Sequence, residues 1–200
     1  MINLSVQRPT DLWLSLGKTA LDKKSRKSII DLDMRTRLIS CQNRLEIREW
    51  DPQKWTGEGL FHTVGYERTV SNKMTRLINT YIDQPSWSEL KKEFLVSKRK
   101  AYSSLGMNFK MKPRGKGGCL SSFHLITVNR KLTVIVTSKI AEVPKKFLAD
   151  LKLVNWMLNQ LGLGKVPVVF NISIIFFSMI TMRTKLGMSE RTNITFIFLS

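Results

Sequence analysis

The sequence predicts an α+β fold in a single domain that spans residues 1–200. Two adjacent strand-like runs, 119–128 and 132–136, are joined by a short turn, and apolar residues recur at helical spacing before and after them. The length of 200 residues and the hydrophobic content of 42% suffice for one well-packed core but not for two comfortable ones. These patterns together favour strands and helices that share one core.

Apolar periodicity predicts three helices. The first falls within 70–81, and the third opens with Pro144 and ends at Gly162 or Gly164. The second follows the break at Asp83-Gln84-Pro85, where Ser86 is the predicted cap. Its predicted apolar stripe consists of Trp87, Leu90, Phe94 and Leu95.

Strands are expected in three regions. The turn Asn129-Arg130-Lys131 predicts that the runs on either side of it pair in antiparallel fashion. Arginines interleaved with apolar residues from Arg35 to Arg48 predict a strand or hairpin with one basic face. The segment 166–182 is uncharged for 17 residues, which predicts a buried strand running into a buried helix. A membrane span is the weaker interpretation, because this length lies at the bottom of the required range.

The charge of the chain indicates a polyanionic partner. Thirty-three basic residues against fifteen acidic ones give a net charge of +18, far more than solubility requires. Nucleic acid, phosphorylated small molecules and an acidic protein surface all remain open as partners. The N-terminal region, residues 1–50, contributes a basic cluster at Lys23–Lys27.

Cys119 is the candidate nucleophile. It follows the glycine-rich loop 115–118, and the nearby cations Arg114 and Lys116 favour its thiolate form. The start of the chain predicts no signal peptide, so a cytoplasmic location with reduced thiols is expected for Cys119 and for Cys41. No cysteine or histidine pair has zinc-ligand spacing, and no metal site is predicted. His124, within an apolar strand, is expected to be a core residue.

Four residues after this loop carry a resemblance to a known family. Cys119, Lys139, Glu142 and Asp150 follow the order and intervals of a block in the thymidylate synthase and deoxycytidylate hydroxymethylase family. That block reads as a nucleophilic Cys, a strand, a turn, a second strand ending in Arg-Ser-x-Asp, and a helix opening with Asn or Asp. The resemblance covers roughly residues 114–178, and it makes 106–182 the candidate nucleotide-site block.

The resemblance implies a fold, a reaction and partners. The fold would be a twisted mixed sheet with flanking helices, in a homodimer packed sheet against sheet. Cys119 would attack C6 of a pyrimidine nucleotide monophosphate, and 5,10-methylenetetrahydrofolate would supply a one-carbon unit to C5. Lys139 and the basic loop with Arg114 would hold the 5′-phosphate, and Glu142 would match the acidic residue of the motif. Asp150 would read the base and would favour cytosine over uracil.

Other roles follow from the same resemblance. Arg35, Arg37 and Arg114 are candidates for phosphate-binding arginines lent to the partner subunit. The catalytic glutamate would be Glu46, Glu58 or Glu67. Trp50, Trp55 and Tyr66 are candidates to stack on a base or a pterin, with hydrophobic packing as the alternative. A short, very basic member of this family suits a bacteriophage that modifies its pyrimidines, in which case the compartment is the host cytoplasm.

The chain also departs from the family pattern. Leu120 stands where the family has His, Lys139-Ile140 replaces Arg-Ser, and no His-x-Tyr occurs in 172–182. These differences keep a second hypothesis open, in which a catalytically inactive homologue acts as a basic nucleic-acid-binding or assembly protein.

Overall fold

The computed structural model describes residues 3–12, 15–16, 30–33, 37–55, 74–110, 120–143 and 145–177. For 30–33, 37–42, 76, 140–143, 145–146 and 173–177 the description concerns the backbone alone. Cys119, Arg114, Arg35, Glu58, Glu67 and Tyr66 lie outside the described residues.

Seven described strands form one mixed sheet in the order β1-β3-β7-β6-β5-β4, and β2 pairs with β3. The strands are β1 (Asn3–Val6), β2 (Ile30–Asp33), β3 (Arg37–Trp50), β4 (Ser103–Asn108), β5 (Leu120–Val128), β6 (Lys131–Val143) and β7 (Val166–Phe177). The β1–β3 and β6–β7 pairs are parallel, whereas β3–β7, β4–β5 and β5–β6 are antiparallel. The α+β fold with a mixed sheet is therefore confirmed at this level.

Among the described residues, three helices of 8 or more residues accompany the sheet: α1 (Met74–Tyr81), α2 (Gln84–Ser97) and α3 (Lys145–Gln160). In α3, the predicted apolar stripe from Phe147 to Leu161 is buried as expected. Gly162 ends this helix with φ of +63°. Its amide donates to Asn159 O at 2.9 Å, and Leu163 N donates to Leu158 O at 3.1 Å, which is the Schellman arrangement of a helix C-terminus.

The two faces of the sheet differ. On one face the side chains are buried under the helices: Leu45, Ile47, Phe123, Leu125, Val134, Val136, Val168, Phe170 and Ile172. On the other face, here called the open face, the described side chains are half-buried or exposed apart from Val169: Arg44, Glu46, Arg48, Ser122, His124, Ile126, Thr133, Ile135, Thr137 and Asn171. The core thus lies between the sheet and its single helical layer.

A line of bulges crosses the sheet. Between Ser40 and Asn43, β3 has one residue more than the stretch of β7 that pairs with it. Between Ser138 and Ala141, β6 also has one residue more than the stretch of β7 that pairs with it. In β5 one extra residue, Ser121, stands between the pairs Leu120–Ser138 and Ser122–Thr137. The three irregularities lie at the same level of four adjacent strands, so the sheet bends there.

Four expectations are wrong in detail. The cap of α2 is Asp83, whose Oδ2 accepts from Ser86 N at 3.2 Å and Ser86 Oγ at 2.8 Å, because the carboxylate reaches the first-turn amide. Leu95 is 70% exposed, since it lies off the Trp87–Phe94 stripe. β7 continues as a strand to Phe177, because pairing on both edges holds it extended. His124 is half-buried on the open face and is not a core residue.

No helix that the structure describes combines the length and the apolar run needed to cross a membrane.

Candidate functional site

Leu120, the residue after the predicted nucleophile, lies at the line of bulges. The described part of β5 starts at Leu120, one residue after Cys119, and Leu120 pairs with Ser138, one residue before Lys139. Lys139 lies within the bulged stretch of β6. The register thus brings the neighbours of Cys119 and Lys139 together. Bulges are frequent next to active sites because they change the direction of a side chain.

Lys139 is exposed, so its ammonium group is accessible to a phosphate from solvent. Glu142 lies on β6, where its backbone pairs with Ile175 of β7. Its side chain is outside the described set, so the predicted role of Glu142 remains a prediction. Arg37 pairs with Phe177 at the start of β3, also at backbone level.

Asp150 is the buried acid of the candidate site. It lies in the second turn of α3 and is 3% exposed. It follows Phe147 by three residues and precedes Val154 by four, so it shares the helix face that packs on the sheet. Burying a carboxylate costs several kcal/mol unless neighbouring groups compensate. Asp150 and Lys139 each interact with a neighbouring group. Asp150 is therefore not a surface acid.

Polar residues that the sequence reasoning missed hold the bulged strands. Ser121, the extra residue of β5, donates from Oγ to Thr137 O at 3.0 Å. Asn43, at the edge of the β3 bulge, donates from Nδ2 to Ile172 O at 3.0 Å. Ser138 is buried beside Lys139. The available signal was a polar residue within an apolar strand, which is costly to bury unless it is hydrogen-bonded.

Trp50 packs in the core, and the half-buried Trp55 packs against its ring. Trp50 is fully buried, and its ring lies 5.3 Å from Trp55 and 6.2 Å from Phe170, centroid to centroid. Its Nε1 donates to Asn155 Oδ1 at 2.8 Å. Among the described side chains, these two tryptophans were the candidates for a pterin, and the burial of Trp50 leaves it no accessible ring face. No described residue is assigned to the folate.

Trp55 also lines a groove of about 410 Å³ near the N-terminus. Its cations are close to carboxylates: Lys165 Nζ lies 3.3 Å from Glu49, and Arg8 Nε lies 3.2 Å from Asp11. Hydrogen bonds from Gln7 and from Lys165 hold the pKa of Glu49 below its usual value. The groove is thus internally neutralised and is a weak candidate for an anionic ligand.

A second cationic region lies at the other end of β5. Arg130 N donates to Ala101 O at 3.0 Å, which joins the β5–β6 turn to the α2–β4 connection. This region, called the basic end, consists of five exposed cations: Lys98, Arg99, Lys100, Arg130 and Lys131. Tyr102, 65% exposed, lies among them, and its hydroxyl hydrogen-bonds Asn129. Nine residues of β5 separate the basic end from Leu120, roughly 26 Å.

In the part of the chain that the structure describes, no three His, Cys, Asp or Glu side chains form a group that could hold a metal ion. Comparison with protein-family models and with curated proteins gives no match.

Proposed function

We propose that the protein transfers a one-carbon unit to C5 of a pyrimidine deoxynucleotide monophosphate, as thymidylate synthases and deoxycytidylate hydroxymethylases do. The observation that carries this proposal is the buried Asp150 on the side of α3 that packs on the sheet, since α3 contacts β6, the strand that contains Lys139. Desolvation makes a buried carboxylate costly, so buried acids are rare and are often found at functional sites. The reaction, the substrate and the folate donor come from the sequence resemblance.

In this mechanism Cys119 is the nucleophile. Its thiolate adds to C6 of the pyrimidine, the C6–S bond forms, and the electron pair of the C5–C6 double bond moves toward N3 of cytosine or O4 of uracil. C5 is then nucleophilic. Methylenetetrahydrofolate, when bound, supplies the carbon at the oxidation level of formaldehyde. The cation of Lys139 faces solvent and attracts the 5′-phosphate, although lysine lacks the bidentate grip of arginine.

The test of the nucleophile is mass spectrometry of the folded protein after incubation with 5-fluoro-dUMP or 5-fluoro-dCMP and methylenetetrahydrofolate. Fluorine at C5 blocks completion, so the covalent adduct persists. We expect one nucleotide on Cys119, no adduct with Cys119→Ser, and an unchanged adduct with Cys41→Ser as the matched control. Absence of an adduct with both nucleotides would remove the enzymatic proposal.

The base preference tests Asp150. An amide presents a donor and an acceptor to uracil N3–H and O4, whereas a carboxyl group suits N3 and the amino group of cytosine. Asp150→Asn is nearly isosteric and should shift adduct formation from 5-fluoro-dCMP toward 5-fluoro-dUMP by about tenfold or more. A variant that keeps its fold and its original preference would show that Asp150 does not read the base.

A homodimer through the open face belongs to the same proposal. This face carries small polar and β-branched side chains, such as Ile135, Thr137 and Asn171, in the centre of the sheet. Arg44 and Arg48 flank the half-buried Glu46 at its side, so opposite charges are available for a partner.

The second candidate function is binding of single-stranded nucleic acid, and the basic end favours it. Five exposed cations surround an exposed tyrosine, which is the combination of phosphate contacts and base stacking that such proteins use. The separation from Leu120, roughly 26 Å, makes this surface distinct from the candidate nucleotide site.

Fluorescence titration of an oligonucleotide against salt tests this second function. Replacing the five cations of the basic end by alanine should weaken binding. The negative slope of the logarithm of the binding constant against the logarithm of the salt concentration should become shallower by about 3. Arg44→Ala/Arg48→Ala, on the open face, is the matched control and should change the slope less. The Cys119 adduct should be unaffected by the five replacements. A slope that does not change would exclude the basic end as the binding surface.

A further inference from the structure

The strand β4 ends the described sheet. It pairs with β5 in an unbroken antiparallel register from Ser103–Thr127 to Asn108–Ser122, and within the described residues no strand pairs with its other edge. Phe109 N donates to Ser121 O at 3.0 Å, so the odd-numbered residues direct their N–H and C=O groups toward β5. The backbone groups of Ser104, Gly106 and Asn108 therefore point outward.

This edge has none of the usual protection. Natural edge strands are commonly blocked by a lysine, a proline or a bulge, because exposed backbone donors and acceptors attract other strands. The sequence of β4, Ser-Ser-Leu-Gly-Met-Asn, contains no charge and no proline, and its register has no irregularity. Within the part of the chain that the structure describes, the edge is thus open to an added strand.

A groove of about 540 Å³ runs along this edge. Its lining includes β4 from Ser104 to Asn108, and α2 forms the opposite wall. Leu105 and Met107 anchor β4 on the helix side, where Met107 is buried with Leu90 of α2. The missing side chain at Gly106 gives room to the ring of His124, since a Cβ there would lie 2.2 Å from Nδ1. The groove thus has one wall from α2 and one from His124.

The groove has the opposite charge to the molecule. Its lining contains Glu89 and Glu93, four residues apart on α2, and no lysine or arginine. Both glutamates are exposed. The whole chain carries a net charge of +18. An acidic groove on such a protein attracts cations that the rest of its surface repels.

From the outward backbone groups, the unprotected edge and the two glutamates, we propose that β4 binds an extended basic peptide as an added strand. The main chain of the peptide hydrogen-bonds Ser104, Gly106 and Asn108, and lysine or arginine side chains on one face of it reach Glu89 and Glu93. Pairing with β4 of a second copy is disfavoured, because it would bring the glutamates of two α2 helices together. This site is independent of the reaction proposed for Cys119.

The test uses a fluorescein-labelled seven-residue peptide of alternating lysine and valine with the full chain. Nonspecific attraction works against this measurement, because probe and protein are both basic. We expect saturable binding, with amide shifts in NMR spectra at Ser104, Gly106 and Asn108. The peptide with glutamate in place of lysine should not shift these amides, and a lysine peptide with proline at each alternate position, which cannot pair as a strand, should not bind.

Two charge-reversal variants separate the contribution of the groove glutamates from a general effect of charge. Glu89→Lys/Glu93→Lys changes exposed side chains and should weaken binding at least tenfold while circular dichroism stays unchanged. Glu49→Lys, the same charge reversal at an exposed residue outside this groove, should leave binding unchanged. Equal binding by the groove variant, binding of the proline peptide, or β4 amides that do not shift would each overturn the proposal. So would concentration-dependent self-association through β4 without peptide binding.

Discussion

At the scale of single residues, Asn155 joins three parts of the fold. From α3 its Oδ1 accepts from Trp50 Nε1 at 2.8 Å, and its Nδ2 donates to Trp55 O at 2.9 Å and to Pro52 O at 3.3 Å. One amide thus satisfies a buried donor and two carbonyl groups of the segment after β3. The Asn155 side chain can be buried because both its carbonyl oxygen and its NH2 group have hydrogen-bond partners.

Asn155→Leu should destabilise the protein by about 2–4 kcal/mol, because it leaves the Trp50 N–H and the Trp55 carbonyl group without their hydrogen bonds, whereas Pro52 O keeps the bond from Asn159. The matched control is Asn159→Leu, one turn later, where a single exposed amide donates to Pro52 O at 2.9 Å. That change should cost about 0.5–1.5 kcal/mol. Urea denaturation followed by tryptophan fluorescence measures both, and equal costs would contradict this account.

Single residues also show where the sequence was sufficient and where it was not. The stripe of α3 was predictable because each apolar residue recurs at helical spacing and faces the sheet. Asp83 was missed as a cap because Ser86 also fits that role from sequence alone, and only the geometry distinguishes them. The bulges were not predictable, since an extra residue in a strand changes pairing without changing composition.

At the scale of elements, α2 depends on its N-terminus. Asp83 accepts two hydrogen bonds from Ser86, and these hold the pKa of its carboxyl group below the usual value. A carboxyl group whose pKa is lowered on folding stabilises the native state while it is ionised. Its contribution is full above the unfolded pKa, near 3.8, and disappears as the pH falls through the lower folded pKa.

Asp83→Ala should therefore lower Tm at pH 7 by about 2–4 °C, the usual effect of losing a helix cap in a chain of this size. The difference from the unaltered protein should shrink below pH 3.8 and vanish at the acidic limit. Asp83→Asn, which can still accept from Ser86 N, should retain most of the stability at pH 7. Thermal melts from pH 7 to pH 2 give these values, and a pH-independent difference would argue against ionised Asp83 as the cap.

Among the elements, β5 and β6 were anticipated closely and β7 was not. The turn before Lys131 was recognised from its residues, and positive φ values at Asn129 and Arg130 fit a tight hairpin. In 166–182 the apolar run fits a buried strand or a buried helix equally well, because continuous hydrophobicity has no period to distinguish them. Pairing with β3 and β6 decides for the strand.

At the scale of the whole molecule, the helices that the structure describes lie on one side of the sheet. Among the described residues, the open face carries β-branched side chains such as Ile135, which suits the proposed dimer. The candidate site could be predicted from the sequence only in part. Residue order suggests Cys119, Lys139 and Asp150, but the burial of Asp150 depends on how α3 packs on the sheet.

We expect the protein to sediment as a dimer at micromolar concentration. Thr137→Arg, in the centre of the open face, should convert it to a monomer because a charge would be buried without a partner. Leu95→Arg, on the exposed surface of α2, is the matched control and should remain dimeric. Analytical ultracentrifugation distinguishes the two states, and a dimer that survives Thr137→Arg would place the interface elsewhere.

The line of bulges has a consequence for how this protein can change during evolution. Since β3, β5 and β6 each have one residue more than the strand opposite, deleting that residue from one strand would exchange its inward and outward side chains beyond the bulge. Apolar residues of that half would then face outward and polar ones inward. A change of length in one strand alone is not tolerated along this line. Relatives of this chain should therefore align through β3, β5 and β6 without single-residue gaps.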